Sequence, residues 1–258
     1  MHTITITDWD NGGNTNVATA TINMKNGKNY RIKVRLGGVI YIGLSGVSRD
    51  GLVAEYLFSG NALDTSGNGN NPTNVTARFT NDRFGILDRA YDFNVGYITV
   101  PHSESLNPKT AMTISCFAKM DSYPDGYANC LIRKAYSMDA GYLLIYEKNQ
   151  ILLKLDGPRL MNSVYLKYSI PSDKVLLGNW RHIAASYDSV TKIGKIYFDG
   201  QLVLTTNVNY SFTNTGRFMT IGHGYYDGAR VFPGCIDDIR IYNRALSDDE
   251  VLALYNDN

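Results

Sequence analysis

An antiparallel all-β sandwich is the fold class this sequence predicts, and three observations carry it. Short runs of alternating polar and apolar residues recur along the chain, Gly, Asn and Asp separate them, and a helical signature stands out only near the C-terminal end. Alternation with period two turns one side of a strand inward, whereas a helix would repeat near 3.6. Such runs lie at 52–58, 89–93, 97–100, 112–120, 128–134, 142–147 and 150–155, then at 181–187, 192–198, 201–204, 217–221 and 235–242. Asp199-Gly200 separates two of them, a pair that favours the positive φ angles of a tight hairpin. Ser247 stands three residues before Glu250, the spacing of a capping box, and Val251, Leu252 and Leu254 carry the helix on for about two turns.

The first 48 residues read separately. Four short strands at 3–7, 17–24, 30–34 and 39–44 are broken by Asp10-Asn11-Gly12-Gly13, Asn26-Gly27 and Gly37-Gly38. A segment of some fifty residues buries too little surface for an autonomous core. The expected organisation is therefore a small β-strand segment over 1–48 for attachment or docking, a junction at 46–50, and a sandwich domain over 49–258. Unpaired strand edges accept another chain's strand, so assembly, including homo-oligomer formation, is assigned to 1–48.

Composition narrows the partners. Lys and Arg number 25 against 24 for Asp and Glu, a net charge of +1. Nucleic acid is excluded as a partner, because phosphate binding needs a clustered positive field. No apolar stretch approaches the ~20 residues that cross a bilayer, so membrane insertion is excluded as well. Cys116, Cys130 and Cys235 are an odd number without metal-ligand spacing, and Cys116 and Cys130 sit in apolar runs as small buried thiols. Tyrosine is the outlier, with 19 copies against two tryptophans. Most fit a half-buried pleated surface, and the remainder suit a ligand face, where a flat ring carries a polar tip. The N-terminal residues lack the charged and apolar regions of a secretory signal, so the expectation is a chain made without one or one starting at a boundary.

Five blocks make the fold specific. They are Gly51-Leu52-Val53-Ala54-Glu55-Tyr56 continuing through Asp64-Thr65-Ser66-Gly67-Asn68, then Met112-Thr113-Ile114-Ser115-Cys116-Phe117, Trp180-Arg181-His182-Ile183, Tyr197-Phe198-Asp199-Gly200, and Cys235-Ile236-Asp237-Asp238-Ile239-Arg240-Ile241-Tyr242. In this order they resemble the laminin-G-like jelly roll of the concanavalin A-like lectin/glucanase superfamily, from Gly51 onward. The resemblance implies a non-catalytic binding or adhesion module, found in adhesins, in accessory domains of glycan-degrading enzymes and in phage virion proteins. A glycan is the favoured ligand. The alternatives are a structural virion protein (decoration, fibre or tail) packing on other chains, or an accessory domain of a secreted enzyme. All place the protein outside the cell, on the cell surface or on a virion.

The candidate chemistry follows from particular residues. Glucanases of this fold present acidic residues at alternate positions of one strand, and no strand here does so. Asp237 and Asp238 are adjacent, which in a regular strand sends them to opposite faces. His182 has no evident nucleophile partner and reads as structural. The loop His223-Gly224-Tyr225-Tyr226-Asp227-Gly228 pairs glycines with two aromatics and an acid. It is a candidate sugar rim, with Tyr225 or Tyr226 stacking, Asp227 accepting from hydroxyls, and Tyr127 and Tyr136 as neighbours. Residues 59–71 are rich in oxygen ligands: Asp64, Asn61, Asn70, and the backbone of Gly60 and Gly67. The resemblance implies that this loop and Asp237, on the strand over 235–242, share one structural calcium ion.

Overall fold

The computed structural model describes residues 46–123, 129–135, 141–157, 163–213, 215–224 and 231–257 in full, and the backbone of 2–9, 15–22, 30–35 and 39–44. Two compact units result, one of Met1–Ser48 with Ser247–Asn258 and one of Arg49–Leu246. In the first, β1 (His2–Trp9) pairs antiparallel with β2 (Thr15–Ile22), and β3 (Tyr30–Arg35) with β4 (Val39–Leu44), as separate two-stranded sheets. Its helix, α1 (Asp248–Tyr255), begins in the capping box that the sequence spacing predicts. Ser247 Oγ accepts from Glu250 N, and Glu250 Oε2 accepts from Ser247 N. Asp248, Asp249 and Glu250 add negative charge where the helix dipole is positive.

The second unit is the sandwich. Its strands are β5 (Leu52–Tyr56), β6 (Asn74–Val75), β7 (Arg78–Thr80), β8 (Ala90–Asp92), β9 (Ile98–Val100), β10 (Ala111–Met120), β11 (Asn129–Lys134), β12 (Gly141–Glu147), β13 (Gln150–Asp156) and β14 (Val164–Ser169). They continue with β15 (Arg181–Asp188), β16 (Ile193–Phe198), β17 (Gln201–Asn207), β18 (Met219–Ile221) and β19 (Gly234–Tyr242). One sheet runs β17-β16-β15-β10-β19-β8-β7, with β5 also on β19, and the other runs β14-β13-β12-β11-β18-β9-β6. Every pairing between these strands is antiparallel. Three strands fall outside the runs read from sequence. Two of these, β6 and β7, are too short to alternate; β14 does alternate, with Leu166 buried between exposed Tyr165 and Lys167.

The core lies between the sheets. Ile114, Cys116 and Ala118 of β10 face Leu144, Leu153 and Leu166 of the opposite sheet in one buried apolar cluster. Many tyrosines are buried: Tyr56, Tyr91, Tyr142, Tyr146, Tyr187 and Tyr210 belong to this interior, and Tyr197 and Tyr242 are buried outside it. Their hydroxyls find acceptors, Tyr56 on Asn70 O at 2.8 Å, Tyr142 on Leu106 O at 3.1 Å and Tyr210 on Asp156 O at 2.9 Å. A ring that buries its body and satisfies its tip holds together a polar loop and an apolar core. All three cysteines are free and buried.

At the end of β18 the backbone must turn sharply. Gly222 has φ +70°, and its N–H donates to Leu131 O at 2.9 Å. A Cβ there would lie 2.0 Å from Phe93 Cδ1, a ring packed in the core. Gly222→Ala is expected to cost roughly 2 kcal/mol or more, through positive φ and overpacking together. Urea unfolding of the variant against wild type measures the loss, and an unchanged midpoint would refute the close approach.

Candidate functional site

The loop after β5 closes on its own donors. Asp64 Oδ1 accepts from the amides of Glu55 and Ser66, each at 2.9 Å. Its Oδ2 accepts from Ser66 Oγ at 2.9 Å and from Asn70 N at 2.8 Å. A carboxylate offers about four lone-pair positions, and four donors fill them. Asn61 Oδ1 caps Leu63 N at 2.8 Å. Asn70 is buried and exchanges hydrogen bonds with Ser105, while Gly60 and Gly67 supply positive φ angles of 76° and 94°. Asp237 is engaged elsewhere, by Arg83. This donor set does not fit the divalent ion expected on Asp64, Asn61, Gly60, Gly67, Asn70 and Asp237. An ion there would have to displace backbone amides that themselves need acceptors.

Asp92, Asp121 and Cys235 also converge, with ligand atoms within 4.8 Å of one another. The amide of Asn94 already bridges the two carboxylates, at 2.7 and 2.8 Å. Burial pushes the Cys235 thiol up to about 12, so in the free protein it is protonated.

Asp237 and Asp238 correct the sequence reading. Asp238 has φ +48°, and the register of β19 on β10 shifts between Ser115 and Phe117. This bulge brings both carboxylates to one guanidinium: Arg83 Nη1 lies 3.3 Å from Asp237 Oδ2 and also binds Asp238 Oδ2. The guanidinium packs over the Phe117 ring, 4.0 Å from its centroid. Burial pushes the Asp237 carboxyl up to about 8, with the Asp238 charge adding to the rise and Arg83 opposing it. Two adjacent carboxyls invite comparison with a glycosidase pair, but that chemistry needs a sugar between them. Here a guanidinium binds both.

His182 has the nucleophile-type neighbour that sequence reasoning missed. Ser115 Oγ lies 2.8 Å from His182 Nε2, across β10 and β15. The imidazole is fully buried, and burial, reinforced by Arg240 and Arg83, holds its pKa down to about 3. A neutral histidine sealed from substrate is structural. Cross-strand register could not be read from sequence, so the pair was invisible there.

The outer face of the seven-stranded sheet is different. Cross-strand register sets Asn74, Thr99, Thr220, Arg133, Leu143, Lys154 and Tyr165 in one row across all seven strands. Cross-strand partners share a face, and the next row, with Ile98, Ile221, Ile132, Leu144, Leu153 and Leu166, faces the core. Lys154 Nζ pairs with Asp156 Oδ1 at 2.9 Å and lies 5.5 Å from the centroid of Tyr165, which is 52% exposed. Arg133 Nη1 donates to Gly224 O at 3.0 Å, fixing the start of the loop that sequence reading singled out. Beside it, half-buried His223 stacks on Tyr97 with centroids 4.3 Å apart. Thr220 Oγ1 and Asp156 Oδ2 are buried yet have no hydrogen-bond partner among the described residues. Of the residues assigned to a sugar rim, His223 adjoins this row; Tyr225, Tyr226, Asp227, Tyr127 and Tyr136 lie outside the described residues.

Comparison with known proteins gives a consistent picture. The family model of the concanavalin A-like lectin/glucanases superfamily, laminin G type, matches residues 92–252. Among curated proteins none matches the chain in sequence. The binding domain of Paraclostridial mosquitocidal protein 1 is similar, with a TM-score of 0.66 at 21% identity over 81% of this chain and 52% of that one. Domain 4 of AbnA, a GH43 extracellular arabinanase from Geobacillus stearothermophilus solved with arabinotriose, has a TM-score of 0.59 at 21% identity over 79% and 98%. The botulinum neurotoxin serotype D ligand-binding domain, solved with N-acetylneuraminic acid, has a TM-score of 0.62 at 15% identity over 81% and 51%. The chain spans about half the length of the two toxin domains, and at these identities the likeness is one of fold.

Asp64→Ala is expected to lower stability by about 2–4 kcal/mol, since it strands buried and half-buried amides. The loss, read from urea unfolding, should be the same with millimolar calcium as with chelator. A calcium-dependent loss would return the ion to this loop.

Proposed function

This chain belongs to the concanavalin A-like lectin/glucanase superfamily, and on that footing we propose that it is a non-catalytic recognition module. Its ligand is a glycan, bound on the outer face of the seven-stranded sheet. One observation carries the reading: on that face Thr220 Oγ1 and Asp156 Oδ2 are buried without hydrogen-bond partners among the described residues, between the Tyr97–His223 pair and exposed Tyr165. A sugar presents the complement, hydroxyls that donate and accept around an apolar C–H surface that packs on aromatic rings. Buried polar groups left unsatisfied cost stability; both atoms are covered in the free protein, so a ligand hydroxyl that displaces the side chains over them gains more than one bound at the surface. The loop with Tyr225, Tyr226 and Asp227 continues directly from His223 and Gly224, and Tyr127 and Tyr136 flank strand β11 in sequence.

Residues 1–48 are assigned to attachment. Two separate hairpins support this, because a two-stranded sheet has open edges on both sides. Display outside the cell or on a virion suits both roles. No calcium ion enters the reading.

A glycan array supplies the ligand, and titration then tests the face. Thr220→Val and Tyr165→Ala are each expected to weaken binding about tenfold, corresponding to about 1.4 kcal/mol, with little change in melting temperature. Incubation with the bound glycan should release no reducing ends. Unchanged affinity in both variants would move the site off this sheet, and turnover would overturn the non-catalytic assignment.

A further inference from the structure

We propose that the guanidinium of Arg83 stands where a divalent cation would close the β19 bulge, so that this sandwich is metal-independent and takes up such an ion only when Arg83 is removed. Resemblance implied a structural calcium ion using Asp237, yet the cation on Asp237 is an arginine of this same chain. Arg83 lies 154 residues away in sequence and spans both carboxylates, as a bridging ion would.

The loop is built to deliver it. Asp82 Oδ1 accepts from the amides of Phe84 and Ile86, each at 2.8 Å, while Asp82 N donates to Ile86 O and Gly85 N to Asp82 O. These bonds fix a tight turn after β7. Asp82 is buried and Arg83 largely so, while Phe84, Ile86 and Leu87 are exposed. The usual polarity of a loop is inverted here: charge points in and apolar groups point out. Packing of the guanidinium over Phe117 and Phe84, at 4.0 and 4.5 Å, suits a flat, weakly hydrated cation. An ion with its own demand for six or more oxygens would have to bring water into that space.

Removing Arg83 leaves two carboxyl groups in the sheet with no guanidinium bridging them. The pair is then poorly hydrated and must either repel as two charges or take up a proton, which destabilises the fold, and a small dication that enters relieves this. The experiment is thermal melting of the full chain in chelator and in millimolar Ca²⁺ or Mg²⁺ at fixed ionic strength. Wild type should melt at one temperature in all buffers. Arg83→Ala should melt on the order of 10 °C lower in chelator and regain a few degrees with the dication. The double variant Arg83→Ala/Asp237→Asn should lose that response, which places the ion at this site. Should Arg83→Ala fail to fold, Arg83→Gln is judged by the same criteria. Stabilisation of wild type by the dication, an Arg83 variant as stable as wild type, or one indifferent to the dication each overturns the proposal. None of these outcomes depends on the glycan reading, whose failure would appear in binding and not in melting.

Discussion

β19 is the strand on which the sandwich depends. Along one edge it pairs with β10, and along the other with β5 and β8 in succession. The N-terminal and C-terminal ends of the sandwich meet there, and the meeting is electrostatic as well as hydrogen-bonded. Arg240 of β19 lies opposite Glu55 of β5, with Nε 3.0 Å from Oε1 in a buried ion pair. Burial opposes ionisation of Glu55, but hydrogen bonds from Thr65, Arg240 and Arg49 outweigh it and hold the carboxyl below its usual range. The folded pKa is depressed, so this contribution to stability is present above the unfolded carboxyl pKa and is lost as acid protonates Glu55. The contact joins residues 185 apart in sequence, at a loop-closure cost that grows only slowly with that separation.

The same strand sets the character of its sheet. Its outer face carries Glu55 with Arg240, Ser115 with His182, and Asp237 and Asp238 with Arg83, and in each group the polar atoms named answer one another. Removing one member of such a group costs more than its bond, because the partner stays behind in low dielectric. Position by position the charges bring order and register more than raw stability. The bulge at Asp238 is an example: it breaks the ladder, and the break is what lets two consecutive side chains reach a single arginine.

Periodicity and turn chemistry revealed most of this architecture from the residues alone. The runs at 112–120, 150–155 and 181–187 became β10, β13 and β15 with small shifts at their ends, and Ser247 and Glu250 formed the cap their spacing implied. What failed to show was set by register and bulges. Asp237 and Asp238 read as opposite-facing because a regular strand makes them so, and a positive φ at Asp238 is not encoded by any turn signature. Asp64 looked like a metal ligand because carboxylate and amide oxygens are the right type; only coordinates reveal that amides had claimed them. The row through Thr220, Arg133, Lys154 and Tyr165 draws on residues far apart in sequence, and no local pattern announces it.

The contrast between the two outer faces bears on where recognition resides. Both sheets bury polar side chains, which a fold tolerates only where hydrogen bonds answer them. On the eight-stranded sheet Arg240 and Arg83 answer the carboxyls of Glu55, Asp237 and Asp238. On the seven-stranded sheet Lys154 answers one oxygen of Asp156, and among the described residues neither the other oxygen nor the Thr220 hydroxyl has a hydrogen-bond partner. Such groups carry a standing cost in the free protein. Under the proposed function a hydroxyl-rich ligand would recover that cost, favouring partners able to answer these groups. Family membership alone leaves the ligand open, because one sandwich serves many partners. Thr220 and Asp156, beside exposed Tyr165, are the ground on which the proposed site is placed on the seven-stranded sheet.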